Sequence, residues 1–163
     1  MRSFGSFAVC LALSVMFVGL AGCDGPQRKP DGSAAVHNHP TKGPHGGSLI
    51  ELGDEQYHVE MIHDDAAGVV TFYVLDASAK KAVPISAAEV VLNLKHAGKP
   101  EQFKIAAQAD TGDPAGQSSR FVSKDKELAE DLDAEGADAE LVLSIDNTQF
   151  RGKIAHHHDG DAK

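Results

Sequence analysis

Cysteine is almost absent: 163 residues hold two, Cys10 and Cys23, both near the start of the chain. Beyond residue 23 there is none, so a folded domain there has no disulfide and must be held by its own apolar core. A cysteine nucleophile is excluded for the same reason. Tryptophan is missing and aromatics make up only 6 %. Basic residues are scarce, 15 Lys and Arg against 24 Asp and Glu, for a net charge of −9. Nucleic acid is therefore not expected as a partner, because binding it needs clustered positive charge. An acidic surface instead suits solubility and draws cations. A long hydrophobic run is lacking as well. The best, residues 7–20, is broken by Ser14 and Gly19 and falls short of the roughly 20 residues that span a bilayer. Neither Gly-x-Ser-x-Gly nor His-Glu-x-x-His occurs, so the chain is not expected to be an enzyme.

That short apolar run has a different meaning. Arg2 precedes it, and Leu20-Ala21-Gly22-Cys23 follows it. A charged start, a short apolar core and small residues before a cut make a secretory signal peptide. Leu20-Ala21-Gly22-Cys23 also resembles the bacterial lipobox, which implies cleavage before Cys23 and lipidation of that residue by acyl chains such as palmitate. One acyl chain anchors weakly and two or more anchor firmly. The expected location is the cell envelope, on the periplasmic side, tied to the inner or the outer membrane. With Arg2 removed, 14 basic and 24 acidic residues remain in 141, a net charge of −10.

Residues 23–44 are rich in Gly, Pro, Ser, Lys and Asp without apolar periodicity, the composition of a flexible tether. From residue 45 to 155 the pattern is alternation of period two, interrupted by turn residues, which predicts strands. The expected strands are residues 48–52, 57–63, 69–75, 89–96, 102–107, 120–123, 139–145 and 148–154. Residues 97–100 are expected to be a loop. Leu128 and Leu132, four apart, predict one short helix over 124–132, with Ser123 or Asp125 as its N-cap. About eight short strands with frequent turns predict an all-β fold, an Ig-like antiparallel β-sandwich with one short helix. Residues 156–163 form a His- and Asp-rich tail.

All nine histidines lie beyond residue 23. They fall into His37, His39 and His45, then His58 and His63, then His156, His157 and His158, with His96 alone and read as structural. Imidazole and carboxylate together bind zinc, copper and nickel. On a strand, i and i+2 share a face, so His58 and Glu60 point together, away from Tyr57, Val59 and Met61. A tight turn at 53–56 would set Leu52 opposite Tyr57 and Glu51 opposite His58, giving an exposed cluster of His58, Glu60 and Glu51. His45 would lie roughly 13 Å along the strand from Glu60. To meet it, the chain would need a kink at Gly46-Gly47; otherwise His45 pairs with His63, or with His37 and His39. Asp131-Leu132-Asp133-Ala134-Glu135-Gly136 opens like a calcium loop, but its twelfth position is Val142 where a bidentate Glu is required. That stretch is expected to be a solvated acidic helix end.

Gly43-Pro44-His45-Gly46-Gly47, then a strand, a turn and Tyr57-His58-Val59-Glu60, and further on Val74-Leu75-Asp76, resemble a small domain near the N-terminus of periplasmic adaptor subunits of heavy-metal efflux pumps. The resemblance covers mainly residues 45–94. It also extends to stand-alone bacterial lipoproteins that carry such a domain. It implies transition-metal handling and places a metal-associated role on His45, and less directly on His58 and Glu60. The chain lacks the coiled-coil heptads of an adaptor, so it is not expected to bridge a pump to a channel. It also lacks a Met-rich stretch suited to copper(I). The function expected is an envelope lipoprotein that binds or buffers a divalent transition metal, zinc or copper, with an efflux system or another envelope protein as partner. The expected metal ligands are His45, His58, Glu60 and His63, with His37, His39, His156, His157 and His158 on the flanks. The alternative is a β-sandwich module that binds another envelope protein without metal. A third reading, a copper redox centre on a sandwich, needs three converging histidines.

Overall fold

The structure is a computed structural model and describes residues 40–155. The expected signal segment, Cys23, most of the expected tether with His37 and His39, and the tail with His156, His157 and His158 lie outside the described residues. Strands form at β1 (Ser48–Leu52), β2 (Tyr57–Asp64), β3 (Val69–Asp76), β4 (Glu89–His96), β5 (Lys99–Ala107), β6 (Arg120–Ser123), β7 (Asp138–Ile145) and β8 (Thr148–Ile154), with a helix α1 (Lys126–Leu132) between β6 and β7. The fold is all-β and antiparallel, with eight strands and this short helix among the described residues.

The two layers are halves of one sheet, in the order β1-β2-β3-β6-β5-β4-β7-β8. Short β6 joins them. It pairs with β3 from Val70↔Ser123 to Tyr73↔Arg120 and with β5 at Ala106↔Val122 and Ala107↔Phe121. The sheet curls until β8 packs beside β1, which nearly closes a barrel. Gly152 permits that approach, since a Cβ there would lie 2.5 Å from Ile50 Cγ2 and 2.9 Å from the Glu51 carbonyl. Gly152→Ala should therefore lower stability by about 1–3 kcal/mol, the usual cost of overpacking, as measured by urea unfolding. An unchanged midpoint would mean that the seam is loose.

Alternation explains the interior. Ile50, Leu52, Val59, Phe72, Val74, Leu92, Leu94, Ile105, Phe121, Leu141 and Leu143 fill it, each nearly devoid of solvent contact. The helix supplies Leu128, Ala129 and Leu132 to the same core. Asp125 is its N-cap and accepts a hydrogen bond from the Glu127 amide at 3.0 Å, satisfying one of the free donors of the first turn.

Turn chemistry fixes the hairpins. Asp146 and Asn147 both take positive φ, 47° and 65°, as a two-residue turn of the twist-matching kind requires. Ala97 and Gly98 do the same at 48° and 80°. The loop expected over 97–100 is therefore only this pair, and β5 starts at Lys99 rather than at residue 102. Pro100 suggested a loop because it has no amide to donate. It fits because β5 meets β6 only at Ala106 and Ala107, so the edge at Pro100 is free. The β1–β2 register is the expected one, Leu52↔Tyr57 and Glu51↔His58.

After β3 the chain turns back on Asp76. Its carboxylate accepts from the Ser78 hydroxyl at 2.6 Å and from the Lys80 and Lys81 amides at 3.2 Å. The Ser78 bond, aided by those amides, holds the carboxyl down at a pKa of about 2. Among the described residues no helix is long and apolar enough to cross a membrane.

Candidate metal centre

One end of the sheet opens into a cleft of about 620 Å³ whose walls include His45, His63, Asp65, Asp133 and Ala155. His63 lies near the end of β2, on the face of Val59 and Met61. Asp65 follows in the β2–β3 turn. Asp133 is the C-cap of α1. Burial of Leu128 and Leu132 pulls the helix against the core, and this delivers its C-terminal end to the end of β2.

His63 is gripped from two sides. Its Nδ1 lies 3.1 Å from Asp133 Oδ1, and its Nε2 lies 3.2 Å from Asp65 Oδ1. Neither contact is a hydrogen bond, and Nε2 is buried without a hydrogen-bond partner. The His63 side chain is 13 % exposed, whereas Asp65 and Asp133 are open to solvent. One donor atom from each of the three lies within 4.8 Å of the other two. Zinc ligands at about 2.1 Å in a tetrahedron stand roughly 3.4 Å apart. Closing that difference would require the two solvated carboxylates to move toward a common point. The C-terminal end of α1 adds partial negative charge, and no basic residue sits in its last turn. The arrangement favours a small cation over an anion.

His45 is held differently. The expected kink is present, with Gly46 at φ +86°, and it brings His45 to Glu60. Glu60 Oε1 accepts from the His45 and Gly47 amides, both at 2.8 Å, and Oε2 lies 2.8 Å from His45 Nδ1. Glycine is required beside it, because a Cβ on Gly43 would fall 2.4 Å from the Glu60 carboxyl carbon. The His45 ring stacks on Tyr73, centroids 3.9 Å apart and 14° from parallel.

The expected exposed cluster of Glu51, His58 and Glu60 is not formed. Glu51 is exposed, but Glu60 is 0 % and His58 3 % exposed. Strand alternation assumed a solvated outer face, yet residues 43–47 fold over Glu60, and His58 Nδ1 donates to the Asp76 carbonyl at 3.2 Å. Both oxygens of Glu60 are engaged by the loop, so it orients His45 and is not free to bind an ion itself. His58 is packed away from the cleft side chains. His96 Nδ1 meets Asp131 at 3.3 Å and ties α1 to β4, as befits a structural residue.

Asp65 and Asp133 were missed in the sequence. Asp65 carried a usable signal, since His63-x-Asp65 is same-face spacing continued into a turn. Asp133 stood out only within the stretch that opens like a calcium loop and was set aside with it as a solvated helix end; the packing of α1 is what brings it to His63. No family model, no curated protein and no solved structure matches the chain.

Proposed function

We propose that this protein is an envelope lipoprotein that binds a divalent transition metal, zinc or copper, through His63, Asp65 and Asp133, and that it buffers or delivers that metal near an efflux system. The observation that carries the reading is the His63 imidazole, set between two carboxylates from separate elements, with its Nε2 buried and lacking a hydrogen bond. An ion on that nitrogen would sit on the Asp65 side, and Asp133, which faces Nδ1, would swing round the ring edge to join it and so link α1 to the β2–β3 turn. Binding requires neutral imidazole and ionised carboxylates, so acid releases the ion. The lipid on Cys23 and the tether of residues 23–44 would give the domain reach from the membrane surface.

A module binding a protein without metal has less support. Loop residues 110–118 offer only Pro114 and Ala115 as exposed apolar side chains, short of the contiguous patch that marks such a surface.

The test is calorimetric titration of the full chain with zinc, copper(II) and nickel, in a background where His37, His39, His156, His157 and His158 are each changed to Ala. Stoichiometric binding at micromolar affinity or tighter supports the reading. Heat no greater than dilution sinks it and assigns the affinity of the unaltered chain to its flanks.

A further inference from the structure

His63, Asp65 and Asp133 form a wall between two hollows. On one side is the cleft. On the other is a smaller hollow of about 180 Å³, which the same three residues line together with Lys126 and Glu130.

Glu130 belongs to α1 and is exposed. Residues three apart on a helix share a face, with Cβ atoms about 5–6 Å apart. Asp133 keeps near-helical backbone angles, φ −88° and ψ −8°, so that spacing holds across the C-cap. A helical side chain leans over the turn before its own Cα, which tilts Asp133 back toward Glu130. No ion pair engages the Glu130 carboxylate among the described residues. Glu130 is not one of the donors that already lie within 4.8 Å of one another. To ligate, it must swing in from the hollow, which its extra methylene and uncommitted end allow.

The buried nitrogen is the second observation. His63 Nε2 has no hydrogen-bond partner, and Asp65, the carboxylate that faces it, also lines the hollow. An ion on Nε2 beside Asp65 therefore has the hollow next to it. Lys126 counts against a cation there, since its positive charge borders the same space. Three carboxylates outnumber it.

We infer that Glu130 is a fourth ligand of the centre, so that His63, Asp65, Glu130 and Asp133 hold the ion with no position left for an outside ligand. This rests on the metal-binding reading proposed above and deepens it. Zinc sites that keep their ion are closed by four protein ligands, whereas sites that act on a substrate keep one position open. One nitrogen and three oxygens suit zinc and offer nothing soft to copper(I). The role narrows from delivery to buffering, with zinc as the cargo.

The experiment uses the full chain with His37, His39, His156, His157 and His158 changed to Ala. The probe is cobalt(II), alone and then with azide. The visible spectrum reads coordination, and titration with cobalt or zinc reads affinity. With four protein ligands, azide should leave the cobalt spectrum unchanged. Glu130→Ala should make the spectrum respond to azide and weaken binding at least about tenfold, the least that losing even an outer partner costs a metal site. Alanine suits an exposed helix position, so the fold should persist. Glu127→Ala removes the same charge from the same helix outside the hollow. It should leave affinity within about threefold, as a solvent-screened charge does. A spectrum that azide shifts while Glu130 is intact would overturn the fourth ligand. So would an affinity indifferent to Glu130→Ala, or an equal loss in Glu127→Ala. In each of those cases the three-ligand centre stands. If the chain binds neither zinc nor cobalt, the metal-binding reading fails and this inference with it.

Discussion

His63→Ala should weaken zinc binding at the cleft at least about 100-fold, a loss of about 2.7 kcal/mol, measured in the background lacking His37, His39, His156, His157 and His158. His63 is the one nitrogen donor of the three-residue group, and in the proposed site its position against Asp65 and Asp133 is what would make two solvated carboxylates into ligands. Without it the aspartates are ordinary surface charges on an acidic protein. The same change should erase the stabilisation that metal gives. A ligand at 100 times its dissociation constant adds about 2.7 kcal/mol to folding, which for a domain of this size raises the melting temperature by about 10 °C. Asp133→Asn should lower affinity less, because a neutral oxygen remains. An undiminished affinity in His63→Ala would place the ion elsewhere.

Cys23→Ser should abolish incorporation of labelled palmitate and move the protein from the membrane pellet to the soluble fraction. The physical argument is additive burial of acyl methylenes, about 0.8 kcal/mol for each. Two chains make dissociation negligible and none leaves an acidic domain repelled by anionic lipid. Residues 23–163 carry a net charge of −10, so electrostatics alone offers no attachment. A Cys23→Ser variant that stayed in the pellet would contradict the lipid anchor and point to a protein partner as tether.

Much of the fold was legible because it is written in local pattern. Tyr57, Val59 and Met61 alternate with His58 and Glu60, and this alternation with the tight turn at 53–56 was enough to set the β1–β2 register. Asp146-Asn147 announced the last hairpin. Lys99 and Pro100 were read as loop because proline demotes a strand, while the free edge that tolerates it depends on how little of β5 meets β6. The site was legible only in part. Histidine on an acidic domain drew notice to metal, and of the expected ligands within the described residues His45 and His63 line the cleft whereas His58 and Glu60 are buried. Which of them face the cleft was not readable. Glu60 is buried by residues 43–47, a loop with no periodicity, whose glycines let the backbone close over a carboxylate. His58 is buried on the same outer face. Asp133 joins His63 through the packing of Leu128 and Leu132, a contact between positions 70 residues apart that no spacing rule encodes.

Anomalous diffraction at the zinc absorption edge, from crystals of the chain soaked in zinc, tests the central claim most directly. The account predicts a peak about 2.0–2.2 Å from a His63 nitrogen and from oxygens of Asp65 and Asp133. A cleft without a peak at His63, with zinc found only on other surface groups, would contradict it.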